Sequence, residues 1–324
     1  MREPILAFRP ASVVRRLAPR NEACPLSLRD ILAAVAPLPI LLPLVRAPSA
    51  GVARAALVAA KELGSALGLA LPAGARPEPW FDAVARAADE IAPRLPIFLS
   101  GEVVVQGGSD EEIEAARREA WRLVEGGITH LAFDVAGVRE DDRVPALRRA
   151  AEAALERAIC VDCFLPLDDG LPSAPRAAAL VEALAEAGVK PDLVSARFPL
   201  PRHPEEERTQ ARLLVEICGW IDGTPVLRRG PVTEDLLRLL AGSPLRACED
   251  GGAALAAAAR ALGREPDGEA GPPLAVASRE LPIEIGDRPE AAAYVETAAF
   301  LEGLAAEGSA AEVADALVAG LDGG

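Results

Sequence analysis

Two carboxylates stand where a sequence of this kind would do chemistry. Glu102 interrupts the apolar run Pro96–Val105, and Asp134 nearly ends the run Ile128–Val135. Both runs lack polar alternation, which suits strands of a parallel sheet covered on both faces. A helical stretch, 111–125, separates them, so they form one βαβ unit. In a parallel α/β fold the reactive groups gather at the carboxyl ends of the strands, which puts Glu102 and Asp134 at one site. Two carboxylates on adjacent strands can divide the roles of general acid and general base. His203, past a later strand end, is the only histidine placed to join them. His130 opens its strand and reads as a buried, hydrogen-bonded structural residue.

Cations cluster at the same level. Arg46, Arg197, Arg228 and Arg229 follow strand ends, with Ser100 and Thr233 as hydroxyl donors. Guanidinium pairs bidentately with phosphate, so this set predicts a small anionic ligand of the sugar-phosphate type. The stretch Arg228-Arg229-Gly230-Pro231-Val232-Thr233 is the strongest phosphate candidate, because a helix beginning at Thr233 would offer free backbone N–H groups. The competing reading is that these charges pair with one another around a solvated rim.

The elements that must carry these residues repeat along the chain. Strand and helix alternate from Ile40–Val45 through Val52–Leu63, Ala66–Leu71 and Trp80–Leu95 to the unit above. They continue through Val144–Ala158, Ile159–Leu165, Ala174–Ala187, Asp192–Pro199, Glu205–Cys218, Thr224–Arg228, Thr233–Leu240, Leu245–Cys248 and Ala253–Leu262. Eight such units predict an α/β fold of the (β/α)8 TIM-barrel type over residues 39–262. Residues 1–38 read as an N-terminal extension. Residues 263–324 read as a linker and two helices that cover the barrel or make an oligomer contact.

Composition removes several classes. The formal charge of −15 disfavours nucleic acid and anionic membrane. No apolar stretch is long and uninterrupted enough to span a bilayer. Five scattered cysteines and no recognisable leader predict a cytoplasmic protein with reduced thiols. Lys61 and Lys190 are the only lysines, one in a helix and one in a loop at the opposite face, so a Schiff-base mechanism has no lysine at the rim. Cys160 and Cys163 have metal-like spacing, but on a strand they point to opposite faces. No metal ligand set and no cofactor are expected, although Glu102, Asp134, Asp162 and His203 are the residues an unusual metal site would use.

Several short motifs resemble a known family. Leu99-Ser100-Gly101-Glu102-Val103, Gly127-Ile128-Thr129 through Asp134, Pro43–Ser49 and Thr224–Gly230 are similar to segments of the class II ketose-bisphosphate aldolases. The resemblance is nearest to the large, accessory-type subunit of tagatose-bisphosphate aldolase. It implies that Glu102 holds the position of a catalytic acid. It also implies that zinc-using members carry histidines where Val103 and Arg228 stand, so the zinc ligands are missing here. The enolate of an aldol cleavage needs a metal or an iminium as electrophile. Three readings remain open at this point. One is a metal-free sugar-phosphate binder or accessory subunit, working with a catalytic partner or as a homo-oligomer. Another is a metal-independent lyase, epimerase or isomerase using Glu102 and Asp134. The last is a barrel that only assembles.

Overall fold

Short β-branched and leucine-rich runs alternate with alanine-rich helices, and neither can bury its apolar face alone. The computed structural model shows how they do so together. It describes residues 4–71, 74–221, 223–266, 273–274 and 281–322. Of the expected linker, residues 267–272 lie outside this range.

Eight parallel strands close into a barrel: β1 (Leu42–Arg46), β2 (Leu67–Ala70), β3 (Pro96–Val104), β4 (His130–Asp134), β5 (Cys160–Phe164), β6 (Leu193–Arg197), β7 (Val226–Arg229) and β8 (Ala247–Glu249). Each pairs with the next, and β8 returns to β1 with Cys248 opposite Pro43. The (β/α)8 expectation is therefore met, including the three-residue eighth strand. The helices between strands are α1 (Ala50–Leu63), α2 (Pro77–Ile91), α3 (Asp110–Glu125), α4 (Arg143–Ala150), α5 (Ala174–Glu186), α6 (Pro204–Trp220), α7 (Glu234–Leu240) and α8 (Ala253–Ala261). The long helix expected over 144–158 is divided at Ala151 into α4 and a short Glu152–Glu156 turn. A small hairpin, Leu167–Asp168 with Leu171–Pro172, follows β5.

Local chemistry accounts for the helix boundaries. Ser109 caps α3 in a reciprocal box: its side chain accepts from Glu112 N, while Glu112 receives the Ser109 N–H. Thus Gly107-Gly108-Ser109 is a helix entry. Gly64 ends α1 in the left-handed conformation that favours glycine.

Strand alternation sorts the interior from the helix layer. Outward residues such as Leu69, Leu99, Val103, Phe133, Cys163 and Val194 join the large cluster under the helices. Inward residues fill the barrel, and its lower part is apolar: Leu42, Leu44, Phe98, Cys160, Leu193, Leu227 and Ala247. Gly68 is small of necessity, since a Cβ there would lie 2.2 Å from Phe98 Cζ. The N-terminal segment belongs to this core. Cys24–Pro25 pairs with the start of β3, and the helix Leu28–Val35 closes the barrel floor with Leu28, Ile31, Leu32 and Val35. The helix Ser309–Asp322 adds Val313 and Leu317 to the same cluster, and Arg288–Gly303 packs on α1 and α8. No helix among the described residues is long and apolar enough to cross a membrane.

Candidate functional site

Above the apolar floor the inward positions turn polar, two strand residues at a time. The lower polar layer holds Ser100 from β3, His130 from β4, Asp162 from β5, Ser195 from β6 and Arg229 from β7, all buried. Asp162 Oδ2 is its centre. It meets His130 Nε2 at 3.2 Å, accepts from Ser195 Oγ at 2.5 Å, and lies 3.3 Å from Arg229 Nη2. Arg229 Nε donates to Ser195 Oγ at 2.7 Å, and His130 Nδ1 lies 3.0 Å from Ser100 Oγ. Burial is the main reason that the His130 pKa falls below its ordinary value, against the pull of Asp162.

The upper layer forms the mouth. Arg197 bridges the two strand-end acids, with Nη2 3.3 Å from Glu102 and Nη1 3.3 Å from Asp134. Its guanidinium lies 4.2 Å from the Phe164 ring centre, and that of Arg229 lies 5.0 Å from the same ring. Across the barrel, Arg46 Nε donates to Glu249 at 2.7 Å. Burial raises the Glu249 carboxyl, but Arg46, Arg229 and the Gly230 N–H outweigh it and hold the pKa below its usual value. A cavity of about 210 Å³ opens between these groups. Arg46, Ser100, Glu102, Arg229 and Glu249 supply its polar lining, and Leu71 and Leu255 are among its apolar walls.

The sequence-predicted residues therefore divide. Glu102, Asp134, Arg46, Arg197, Ser100 and Arg229 converge on the mouth. Arg228 does not. It faces outward, is fully buried, and donates to the carbonyl oxygens of Gly230 and Pro231 at 2.5 and 2.6 Å and to Gln210 at 3.1 Å. Burial also lowers its pKa. It fixes the β7–α7 loop, in which Gly230 has φ +105° and a Cβ would come 2.1 Å from Phe198 O. Thr233 Oγ1 is engaged with Glu207 at 2.5 Å and caps α7 by accepting from Leu236 N. Glu234 and Asp235 occupy the first turn of that helix, so its N-terminus carries negative charge of its own. His203 is an exposed residue at the start of α6 and does not line the cavity.

The end of β8 shows the same self-sufficiency. Asp250 accepts from Arg46 N at 3.1 Å, Gly252 N at 3.0 Å and Ala254 N at 3.1 Å, so the protein's own carboxylate fills the start of α8. Burial pushes its pKa up to about 6 despite those bonds.

Two positions of the family resemblance also need correcting. Val103 and Arg228 both face the helix layer, so neither could present a ligand to the mouth; their inward neighbours are Glu102 and Arg229. Among the described residues no three His, Cys, Asp or Glu side chains gather as a metal site. The acids at the mouth are paired with arginines, and this donor set does not fit zinc.

No protein family matches the sequence, and no curated protein matches it either. Solved structures do. The chain superposes on the YdjI aldolase from Escherichia coli K12 with a TM-score of 0.60 and 12% identity, covering 87% of this chain and 98% of that one. A protein assigned as a fructose-1,6-biphosphate aldolase from Coccidioides immitis gives 0.60 at 13% identity, over 91% and 99%. This chain shares their (β/α)8 barrel fold. A probable tagatose 6 phosphate kinase from Sinorhizobium meliloti 1021 is similar over 68% of each chain, with a TM-score of 0.54 and 20% identity. These likenesses establish the fold, while the site of this barrel is built from its own residues.

His130 and Asp162 are readable one by one, but Ser195 and the contacts among the three escape a search for strand-end charges. Each is a polar residue in an apolar strand with the same phase as its neighbours' rim residues, two positions nearer the floor for Ser195 and Asp162. That phase was the available signal.

Proposed function

We propose that this protein is an aldolase-fold barrel of carbohydrate metabolism that binds a small sugar carrying one anionic group at its mouth, without a metal of its own. The sugar derivative is a phosphate or a carboxylate. The protein acts as a binding or accessory subunit and does not cleave carbon–carbon bonds itself. The observation that carries this reading is Arg46. Its Nε is held by Glu249, its side chain is half-exposed, and among the described residues no protein acceptor meets its two Nη groups. A guanidinium anchored at one edge and open at the other is suited to a bidentate anion. The carboxylates and Ser100 around it are suited to sugar hydroxyls, and a cavity of about 210 Å³ limits the ligand to a small one.

The acid–base reading of Glu102 and Asp134 is less well supported. Both acids are already acceptors of the same guanidinium, Arg197, so neither stands free above the cavity.

The test is calorimetric titration of small phosphosugars and sugar acids into wild type and Arg46→Ala, each with chelator and with added zinc. Binding that is independent of both additions, and weakened about tenfold or more in the variant, supports the reading. Binding that appears only with zinc, or that ignores Arg46, removes it.

A further inference from the structure

The lower polar layer contains an arrangement that ligand binding alone does not require. Ser100, His130 and Asp162 form a continuous chain from the cavity into the barrel: Ser100 Oγ to His130 Nδ1 at 3.0 Å, then His130 Nε2 to Asp162 Oδ2 at 3.2 Å. Ser100 lines the cavity, while the other two have no solvent exposure. The proton positions follow from the partners. A carboxylate only accepts, so Nε2 carries the hydrogen toward Asp162 and Nδ1 is left as an acceptor facing the Ser100 hydroxyl. The imidazole is held in that state. Burial keeps it neutral, Phe98 meets its ring edge-on at 6.2 Å from below, and Ser195 and Arg229 fix Asp162 from the far side. Asp162 Oδ1 is buried with no hydrogen-bond partner, an unfavourable feature in a purely structural network.

We propose that Ser100 is a reactive serine, with His130 as its general base and Asp162 as the positioning residue, and that it transfers the acyl group of a small anionic ester. The Ser100 Oγ–carbon bond forms as the hydroxyl proton passes to His130 Nδ1. The bond from carbon to the alcohol oxygen then breaks, and the leaving alkoxide takes that proton. Water repeats the two steps, which releases the acid and restores Ser100. Arg46 and Arg229 line the same cavity, so positive charge is available there to a developing oxyanion.

The roles are those of a nucleophile, a base and an orienting acid recognised by geometry rather than by position in the chain. The inference uses the cavity described above but does not depend on which sugar fills it.

The experiment is labelling of the full chain with diisopropyl fluorophosphate, followed by intact mass and peptide mapping. Oγ attacks phosphorus, the P–F bond breaks, and the hydroxyl proton leaves with fluoride through His130. One adduct on Ser100 is expected, absent in Ser100→Ala. The rate should fall about 100-fold or more in His130→Gln and in Asp162→Asn, the usual contribution of a positioned base. Because those variants remove buried groups and could unfold the chain, the wild-type pH profile is read as well. The rate should be level at neutral pH and fall only below the ordinary imidazole value of 6.5, since the His130 pKa is lowered. No adduct on Ser100, or a rate that climbs tenfold per pH unit through alkaline pH, would overturn the proposal. If Ser100 is labelled while no phosphosugar or sugar acid binds, the relay stands and the ligand proposed above is wrong.

Discussion

The two ends of the barrel are built on opposite principles from the same eight strands. At the floor, inward Leu42, Leu44, Phe98, Leu193 and Leu227 meet the helix Leu28–Val35, and specificity there is a matter of volume. Toward the mouth, the inward positions include Arg46, Glu102, Asp134, Arg197, Arg229 and Glu249, and specificity is a matter of charge pairing. Apolar packing stabilises without direction, whereas buried ion pairs barely offset their desolvation and are expensive to break. Arg229 with Asp162 is a buried pair of this costly kind, whereas the pairs of Arg46 and Arg197 are half-exposed at the rim.

That contrast can be broken from either end. The largest effect is expected at Arg229, which touches Asp162 and lies 4.0 Å from Glu249. Arg229→Met should cost about 3–5 kcal/mol in chemical denaturation, because it strands buried carboxylates. A loss under 1 kcal/mol would mean that the layer is not held by charge.

Next comes Asp250. Its folded pKa is raised from 3.8 to about 6, so the folded chain holds a proton that the unfolded chain releases in that window. Its contribution is present at low pH and declines as pH rises through about 6, by roughly 3 kcal/mol across the window. Asp250→Asn should remove that slope from the stability–pH curve. His130 acts in the opposite sense. With its folded pKa lowered, stability falls as pH drops below 6.5, and the two slopes are separable only by comparing variants.

At the floor, Gly68→Ala would drive a methyl to within 2.2 Å of Phe98 and should cost about 1–3 kcal/mol at every pH and salt concentration. The smallest effect is expected at Arg197, half-exposed above the rim. Arg197→Ala should change stability by about 1 kcal/mol or less, and high salt should erase the difference.

Much of this architecture is legible in the sequence because periodicity and composition act locally. The runs at 96–105 and 159–165, the capped helix after Ser109 and the stop at Gly64 each carry their own signal. The sequence also places Glu102, Asp134 and Arg197 on one rim, and the structure brings them together. What periodicity does not supply is phase in a short strand. Arg228 and Arg229 are adjacent in a four-residue strand, and the two possible phases exchange a cavity residue for a loop anchor. Arg229 faces inward because Leu227, two positions back, belongs to the floor. The Thr233 site was hidden for a different reason: its hydroxyl is taken by Glu207, 26 residues earlier, a contact that no local pattern announces. His130 reads correctly as buried and hydrogen-bonded, but its partners Ser100 and Asp162 come from strands on either side and appear only when the barrel closes.

The most direct test of a metal-independent anion site at the mouth is calorimetry on chelator-treated wild type with a phosphorylated ketose of cavity size. The account predicts one site per chain, with an affinity unchanged by added zinc. An affinity that is absent in chelator and restored by one equivalent of zinc would contradict it.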